Sequence, residues 1–132
     1  MNFNFLNVAK NIKEIDCEIP FDVVTTPGIV ITSPDYPENY GQKLRCQTNI
    51  ELAANEIISI EFEEFALEDT RNNGTCYDYL EIVQWGDSER YCGDSLNGKT
   101  IYISGNKAEL IFHSDESNEG TFKFQVNSVE GK

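Results

Sequence analysis

The stretch EIISIEFEEF, residues 56–65, decides the fold. In this stretch the apolar residues Ile58, Ile60 and Phe62 are separated by serine or glutamate. Successive side chains of a β-strand point to opposite faces, so this period of two predicts a strand with one face in a core and the other in water. No segment after residue 16 shows the three-to-four-residue period of an amphipathic helix.

Shorter runs on both sides of this strand repeat the pattern, and turn-forming residues separate them. In the last run, Phe122, Phe124 and Val126 share one face, while Lys123 and Gln125 share the other. Further strands are predicted at residues 29–32, 47–52, 77–85, 99–104, 108–114 and 121–126. The other predicted core positions are Leu80, Ile82, Ala108, Leu110 and Phe112. Many short strands between turn signals are typical of an antiparallel sandwich with a core between two sheets.

Length and hydropathy limit how the chain is organised. A chain of 132 residues fits one domain. No apolar run approaches the ~20 residues of a membrane-spanning helix, which predicts no membrane span. Residues 1–16 lack the apolar region and cleavage site of a signal peptide, and we interpret them as a leader or linker. The predicted division is therefore a leader at 1–16, the domain at 17–129 and a C-terminal tail at 130–132.

The four cysteines, Cys17, Cys46, Cys76 and Cys92, form an even set without a CxxC pair. A role for these cysteines as zinc ligands is disfavoured, because the chain has one histidine and no closely spaced cysteines. Of the pairings that these cysteines permit, Cys17–Cys46 with Cys76–Cys92 is favoured because each bond closes a local loop. Disulfides form in oxidising compartments, which predicts an extracellular protein. The NGT sequon at Asn73 predicts a glycosylation site and agrees with that location.

The net charge of −13 limits the classes of partner. Nucleic acid is disfavoured, because binding to phosphates needs clusters of Lys and Arg. A cationic partner is favoured, either a metal ion or a basic protein surface. Acids scattered over the surface only raise solubility, whereas acids gathered at loop ends require a neutralising group.

Three acid-bearing loops adjoin predicted strands: FALEDT, CYDYLEI and HSDESNEG. They place Glu68, Asp78 and Asp115 at strand ends, and alternate strand ends of a sandwich gather at one edge. Carboxylates at one edge would repel one another, and at least one would have a raised pKa. Calcium relieves this repulsion, because it takes roughly 6–8 oxygen ligands from carboxylates, carbonyls, amides and water. The loops therefore predict a Ca²⁺ site, with three solvated surface acids as the alternative.

Several segments together match a known family. SPDYPENY (33–40) is similar to its Ser-Pro-x-Tyr-Pro-x-x-Tyr motif, and ISIEFEEFALE (58–68) is similar to its strand that ends in an acid. CYDYLEI (76–82) and RYCG (90–93) are similar to the segments around its second disulfide, and FHSDESNEGTFKFQV (112–126) is similar to its final hairpin. With the Cys17–Cys46 spacing, these segments make residues 17–129 resemble a CUB domain, the module of complement proteases, astacin-type proteases and spermadhesins.

The resemblance implies both the fold and the site. The implied fold is all-β, a two-sheet antiparallel jelly-roll-like sandwich with two disulfides of the pairing favoured above. The implied calcium ligands are the side chains of Glu68, Asp78, Asp115 and Asn118 and the backbone carbonyl of Ser117. Tyr40 matches a tyrosine that supports the acidic ligands from behind.

The chain departs from the family pattern around the second acid. Asp78 follows Cys76 one residue sooner than usual, and the loop EDTRNNGTCYD (68–78) is slightly longer than in the complement members. Asp69 is therefore an alternative ligand to Glu68, and a glycan at Asn73 would lie near the site.

The implied function is extracellular protein binding, in which calcium-ordered acids capture a Lys or Arg side chain of a basic protein surface. The chain is not predicted to be an enzyme, although it could be a non-catalytic module of a larger protease. His113 adjoins Ser114 and Asp115, but adjacent residues of a strand point to opposite faces and do not form a triad at one centre.

Two alternative functions are open. The first is a calcium-independent, spermadhesin-like binder of carbohydrate or protein. It would use an aromatic patch of Trp85, Tyr91 and Tyr102, residues that are otherwise expected at half-buried strand positions. The second is a structural or dimerising module, in which residues 1–16 or an exposed strand edge make the contact between copies.

Overall fold

The computed structural model describes residues 15–18, 21, 23–68, 76–115 and 120–130. Within these ranges the chain forms ten β-strands, and no described helix is long and apolar enough to cross a membrane. The strands are β1 (Ile15–Cys17), β2 (Val23–Val24), β3 (Ile29–Thr32), β4 (Leu44–Glu51), β5 (Glu56–Leu67), β6 (Tyr79–Gln84), β7 (Asp87–Tyr91), β8 (Thr100–Tyr102), β9 (Lys107–His113) and β10 (Gly120–Glu130).

The strands form two sheets. The first has the order β1–β4–β9–β6–β7, with β2 also paired to β4, and the second has the order β3–β10–β5–β8. The short strands β1 and β2 pair with β4 in parallel, whereas the other pairings among the described strands are antiparallel. The predicted all-β, jelly-roll-like two-sheet sandwich is confirmed, with these two short parallel pairs as an addition.

The predicted apolar faces lie between the sheets. Phe112 of β9 meets Phe122 of β10 with 5.0 Å between ring centroids, which joins the two layers across the core. Burying an aromatic or aliphatic side chain of this size stabilises the fold by about 1.5–3 kcal/mol. The other predicted positions that are buried are Ile58, Ile60, Phe62, Leu80, Ile82, Ala108, Leu110, Phe124 and Val126.

The alternation of β5 changes phase at Glu63. In the pairing with β10, Lys123 lies opposite Glu64 and Phe124 lies opposite Phe62, which leaves Glu63 as an extra residue. Such a β-bulge reverses the face to which the following side chains point. As a result Phe65 is buried, although a strict period of two places it on the outer face.

Three strands are absent from the sequence prediction. Strands β1 and β2 are too short to show a period, and β7 is an edge strand in which residues 87–90 are all exposed. The predicted disulfides are confirmed as Cys17–Cys46 and Cys76–Cys92. The first bond joins β1 to β4 at the position where the two cysteines lie opposite each other.

Candidate metal centre

The three predicted acids meet at one end of the sandwich. Glu68 follows β5, Asp78 precedes β6 and Asp115 lies two residues after β9. Carboxylate oxygens of all three residues lie within 4.8 Å of one another. Strands β6 and β9 are neighbours in the first sheet and β5 belongs to the second, so the cluster joins the two layers. We call this cluster the acidic end.

The acidic end is largely shielded from water. Glu68 is 5% exposed and Asp78 is 0% exposed, whereas Asp115 is only partly buried. Burial raises the pKa of Asp78 to about 7, and the neighbouring charge of Asp115 acts in the same direction. Two hydrogen bonds to the Asp78 carboxylate oppose this rise without cancelling it. The cluster therefore resists full ionisation unless a cation is bound beside it.

Tyr40 holds two of the acidic segments together. Its hydroxyl donates a hydrogen bond of 2.6 Å to Oδ2 of Asp78 and accepts one of 3.3 Å from the backbone N–H of Glu68. The ring is fully buried and packs edge-on against Phe112 at 4.8 Å. Burial and the bond to Asp78 raise the pKa of the Tyr40 phenol, so the hydroxyl stays a proton donor. The Tyr40 hydroxyl therefore links the segments that carry Glu68 and Asp78.

Backbone contacts fix the position of Asp115. Its N–H donates to Oδ1 of Asp78 at 2.8 Å, and its carbonyl accepts from the N–H of Lys43 at 2.6 Å. The preceding hydroxyl, Oγ of Ser114, accepts from the N–H of Leu44 at 3.0 Å. The loop before β4 and the end of β9 therefore position the third carboxylate together.

The second disulfide connects the Asp78 loop to the end of β5. Cys76 lies two residues before Asp78 and is bonded to Cys92. The next residue, Gly93, donates through its N–H to the carbonyl of Glu68 at 3.3 Å. A covalent bond and a hydrogen bond thus restrict the distance between the two acids.

Gly120 permits the close approach of β10 to this end. Its φ is +110°, and a Cβ built on it would lie 2.0 Å from the carbonyl oxygen of Ala66. Its own carbonyl accepts from the N–H of Tyr40 at 3.1 Å. A side chain at this position would therefore displace the backbone beside both Tyr40 and Glu68.

Several predicted site residues lie outside the described residues. These are Ser117 and Asn118, proposed as ligands, Asp69, the alternative to Glu68, and the sequon residue Asn73. Glu68 is among the described residues and belongs to the cluster.

His113 and Ser114 make contacts outside any catalytic arrangement. The ring of His113 stacks on Tyr79 with 5.0 Å between centroids, and the guanidinium of Arg90 lies 4.1 Å from the centre of the Tyr79 ring. The hydroxyl of Ser114 is buried and donates to the carbonyl of Gly41 at 2.8 Å. Both side chains therefore make packing or hydrogen-bond contacts within the fold.

The aromatic residues considered for sugar binding do not all lie where the strand pattern predicts. Tyr91 is partly buried, as expected. Trp85 and Tyr102 are 88% and 64% exposed, so the expectation of half-buried positions is wrong for both. Trp85 lies in the turn after β6 of the first sheet and Tyr102 in β8 of the second. Period-two reasoning failed at Trp85 because this residue belongs to a turn.

The two-sheet sandwich, its two disulfides and the acidic end define a class of small β-sandwich modules. The family model of the CUB domain matches residues 17–127 of this chain. The chain therefore belongs to the CUB domain family, and it is a non-catalytic module of the protein-interaction type.

Relatives of this chain are much longer proteins. Adhesion G-protein coupled receptor G6 of Danio rerio is 38% identical over 96 residues, which cover 72% of this chain and 8% of that receptor. Tolloid-like protein 1 of Homo sapiens is 31% identical over 111 residues, which cover 80% of this chain and 10% of that protein. The chain thus spans about a tenth or less of these relatives.

A solved structure relates the fold to a metal-bound form. The MASP-1 CUB2 domain bound to Ca²⁺ superposes on this chain with a TM-score of 0.71 at 27% sequence identity. The superposition covers 80% of this chain and 96% of that domain.

Proposed function

We propose that this CUB module binds Ca²⁺ at the acidic end and thereby captures a Lys or Arg side chain of a basic partner protein outside the cell. The observation that carries the proposal is the convergence of the Glu68, Asp78 and Asp115 carboxylates from three separate segments to within 4.8 Å of one another. Such a convergence of carboxylates is costly without a cation, because two of them are buried.

The donor set fits calcium. All three groups offer carboxylate oxygens, the ligand type that hard cations prefer, and their spacing lies within 4.8 Å. Calcium–oxygen distances of about 2.3–2.6 Å place ligands on opposite sides of the ion roughly 4.6–5.2 Å apart. The calcium-bound MASP-1 CUB2 domain supports the same assignment by its likeness to this chain. Ser117 and Asn118 follow Asp115 closely in sequence, and we include them among the proposed ligands.

The three carboxylates would hold the ion through their inner oxygens and bind the partner through an outer one. A bound Ca²⁺ supplies two positive charges, so one negative charge remains at the acidic end. Asp115 is the only partly buried member of the cluster, and it is therefore the member that can reach solvent. A Lys ammonium suits this position because it is a compact charge with three donors. The net charge of −13 would steer basic surfaces toward the module.

The extracellular location is part of the proposal. Two disulfides in a domain of this size indicate an oxidising compartment. We also propose that residues 17–129 form the module, that residues 1–16 are a leader or linker and residues 130–132 a tail, and that Asn73 carries a glycan near the acidic end.

The first test is the melting temperature in excess EDTA and then in millimolar CaCl₂. Calcium that binds only the folded state raises the melting temperature by mass action. The wild type is expected to show this rise and Asp115→Ala is expected to lose it. Glu61→Ala, which removes an exposed acid on the outer face of β5, should keep it. The absence of a rise in the wild type would refute the calcium site and favour the calcium-independent alternative.

The second test concerns capture of a cation. A surface that carries glycine-flanked lysine peptides should retain the wild type in calcium and release it in EDTA. A surface with acetylated lysine should not retain it, because acetylation removes the charge and the ammonium donors. Equal retention on both surfaces would separate calcium binding from lysine capture and refute the latter.

A further inference from the structure

The turn between β6 and β7 has an unusual residue at its tip. Trp85 and Gly86 are the two turn residues, and both have positive φ, of 44° and 74°. A two-residue hairpin turn with two positive φ values is of type I′, for which Asn-Gly or Asp-Gly is favoured. A bulky side chain with positive φ is a conformational outlier that costs on the order of 1–3 kcal/mol.

Packing within the described residues does not compensate for this strain. The Trp85 side chain is 88% exposed. Its indole Nε1 lies beside Gly105, where a built Cβ would be 3.8 Å away. An exposed tryptophan in a strained turn is costly for the isolated module, and strained backbone of this kind clusters at binding sites.

The indole forms one wall of a groove on the first sheet. The groove has a volume of about 400 Å³, and Val23 and Val83 supply part of its apolar lining. Val23 is 50% exposed, so this apolar lining is open to solvent. Glu51 and Glu109 also line the groove. We call this feature the Trp85 groove.

The charge of the groove is negative. Its lining includes two acidic residues, Glu51 and Glu109, and one basic residue, Lys107. The ammonium of Lys107 lies 3.8 Å from the Glu51 carboxylate. An exposed indole beside an excess of carboxylates is complementary to a cation that has a flat face.

We propose that the Trp85 groove is a second docking surface, independent of calcium, for a basic segment of a partner protein. In this complex an arginine guanidinium stacks on the indole of Trp85 and faces the carboxylates of Glu51 and Glu109. Arginine suits the groove better than lysine does, because its planar guanidinium stacks on aromatic faces and binds carboxylates through two parallel donors.

The Trp85 groove is separate from the acidic end. Strand β6 starts next to Asp78 and ends next to Trp85. Its length places the two sites about 20 Å apart. Binding at the groove therefore does not require an ion at the acidic end, and it is a property beyond the calcium-dependent capture proposed above.

Trp85 is the only tryptophan of the chain, so intrinsic fluorescence reports directly on the groove. The experiment titrates the protein, in EDTA and 150 mM salt (about physiological ionic strength), with an alternating Gly-Arg peptide and with its Gly-Lys counterpart. The Gly-Arg peptide is expected to change the emission at lower concentration than the Gly-Lys peptide. The same titration in CaCl₂ should give the same affinity.

Two variants test the assignment without relying on fluorescence. Trp85→Asn should weaken binding of the Gly-Arg peptide, measured by calorimetry, on the order of tenfold. It should also raise the melting temperature, because asparagine tolerates the left-handed turn. Tyr102→Ser, which removes an exposed aromatic residue from the other sheet, should leave peptide binding unchanged.

Three results would overturn the proposal. They are unchanged emission on addition of the Gly-Arg peptide in EDTA, equal loss of binding in Trp85→Asn and Tyr102→Ser, and a response to neutral oligosaccharides in place of the peptides. The last result would assign the groove to a glycan. None of them affects the calcium-dependent melting test, so the two proposals fail separately.

Discussion

The hydroxyl of Tyr40 donates a hydrogen bond of 2.6 Å to Oδ2 of Asp78, a residue 38 positions further along the chain. The same oxygen accepts from the N–H of Glu68. One buried oxygen thereby connects the loop before β4, the end of β5 and the start of β6. This group therefore links the backbone of Glu68 to the carboxylate of Asp78, two of the three acidic residues.

Removal of this hydroxyl should weaken both the fold and calcium binding. Tyr40→Phe leaves a buried carboxylate oxygen of Asp78 and the N–H of Glu68 without this partner, which costs about 1–3 kcal/mol of unfolding free energy. Calcium affinity should fall as well, because the two carboxylates lose their common support. Urea denaturation in EDTA and calcium titration of the folded protein measure the two effects.

Tyr36→Phe is the matched control for this prediction. The Tyr36 hydroxyl donates to Glu64 at 2.7 Å, in a partly buried position on the second sheet. Its removal should cost less stability than Tyr40→Phe and leave calcium affinity unchanged. If both variants lowered calcium affinity equally, Tyr40 would have no special part in the site.

A side chain at position 120 should disrupt the acidic end. In Gly120→Ala the new Cβ would lie 2.0 Å from the Ala66 carbonyl, so the backbone must move. Gly98 also has a positive φ, of 73°, but a Cβ there meets nothing within 4 Å. Gly98→Ala should therefore cost only the conformational strain, about 1–2 kcal/mol, and Gly120→Ala clearly more. Equal melting temperatures for the two variants would show that β10 accommodates the Cβ.

The stability of the calcium-free protein should fall as the pH rises from about 4 to about 7. Burial raises the pKa of Asp78 to about 7 from the value of 3.8 expected in an unfolded chain. Between these values the folded state binds more protons than the unfolded state, so the unfolding free energy decreases with pH. Melting curves in EDTA for the wild type and Asp78→Asn measure the contribution of Asp78 to this pH dependence, because the variant has no ionisable group at position 78.

The melting temperatures of the two proteins as a function of pH show whether stability rises or falls with pH. The wild type is expected to lose stability relative to Asp78→Asn as the pH rises from about 4 to about 7, and to run parallel to the variant above that. Added calcium should reverse the trend in the wild type, because the ion binds ionised carboxylates. Parallel profiles in EDTA would contradict the raised pKa.

Loss of the second disulfide should affect the site more than loss of the first. The Cys76–Cys92 bond has a sequence separation of 16, and a loop of this length is worth about 3 kcal/mol. It also joins the Asp78 loop to Gly93, which bonds to Glu68. Replacement of Cys76 and Cys92 by Ser should therefore lower the calcium affinity of those molecules that remain folded.

The matched control replaces Cys17 and Cys46 by Ser. This bond joins β1 to β4 and takes no part in the contacts described for Glu68 and Asp78. The control should lower the melting temperature and leave the calcium affinity of the folded protein unchanged. An equal loss of affinity in both double variants would show that general loosening, and not the Asp78 loop, limits the site.

Local pattern was sufficient for much of the fold. Ile58, Ile60 and Phe62 are buried as their alternation predicts, and so are Phe122, Phe124 and Val126. This agreement has a simple cause, since the two-residue period of a strand is a property of the backbone itself. The period failed where the backbone departs from regular geometry, at the bulge of Glu63 and at the left-handed turn of Trp85.

The sequence by itself determined most of the strand pattern, the family and the types of residue at the acidic end, because side-chain chemistry and strand period are local. Only the tertiary structure decided that Glu68, Asp78 and Asp115 meet within 4.8 Å. That meeting depends on the pairing of β6 with β9 and on the packing of β5 across the core, between residues far apart in the chain. The exposure of Trp85 was decided in the same way, because burial depends on which elements pack against a turn.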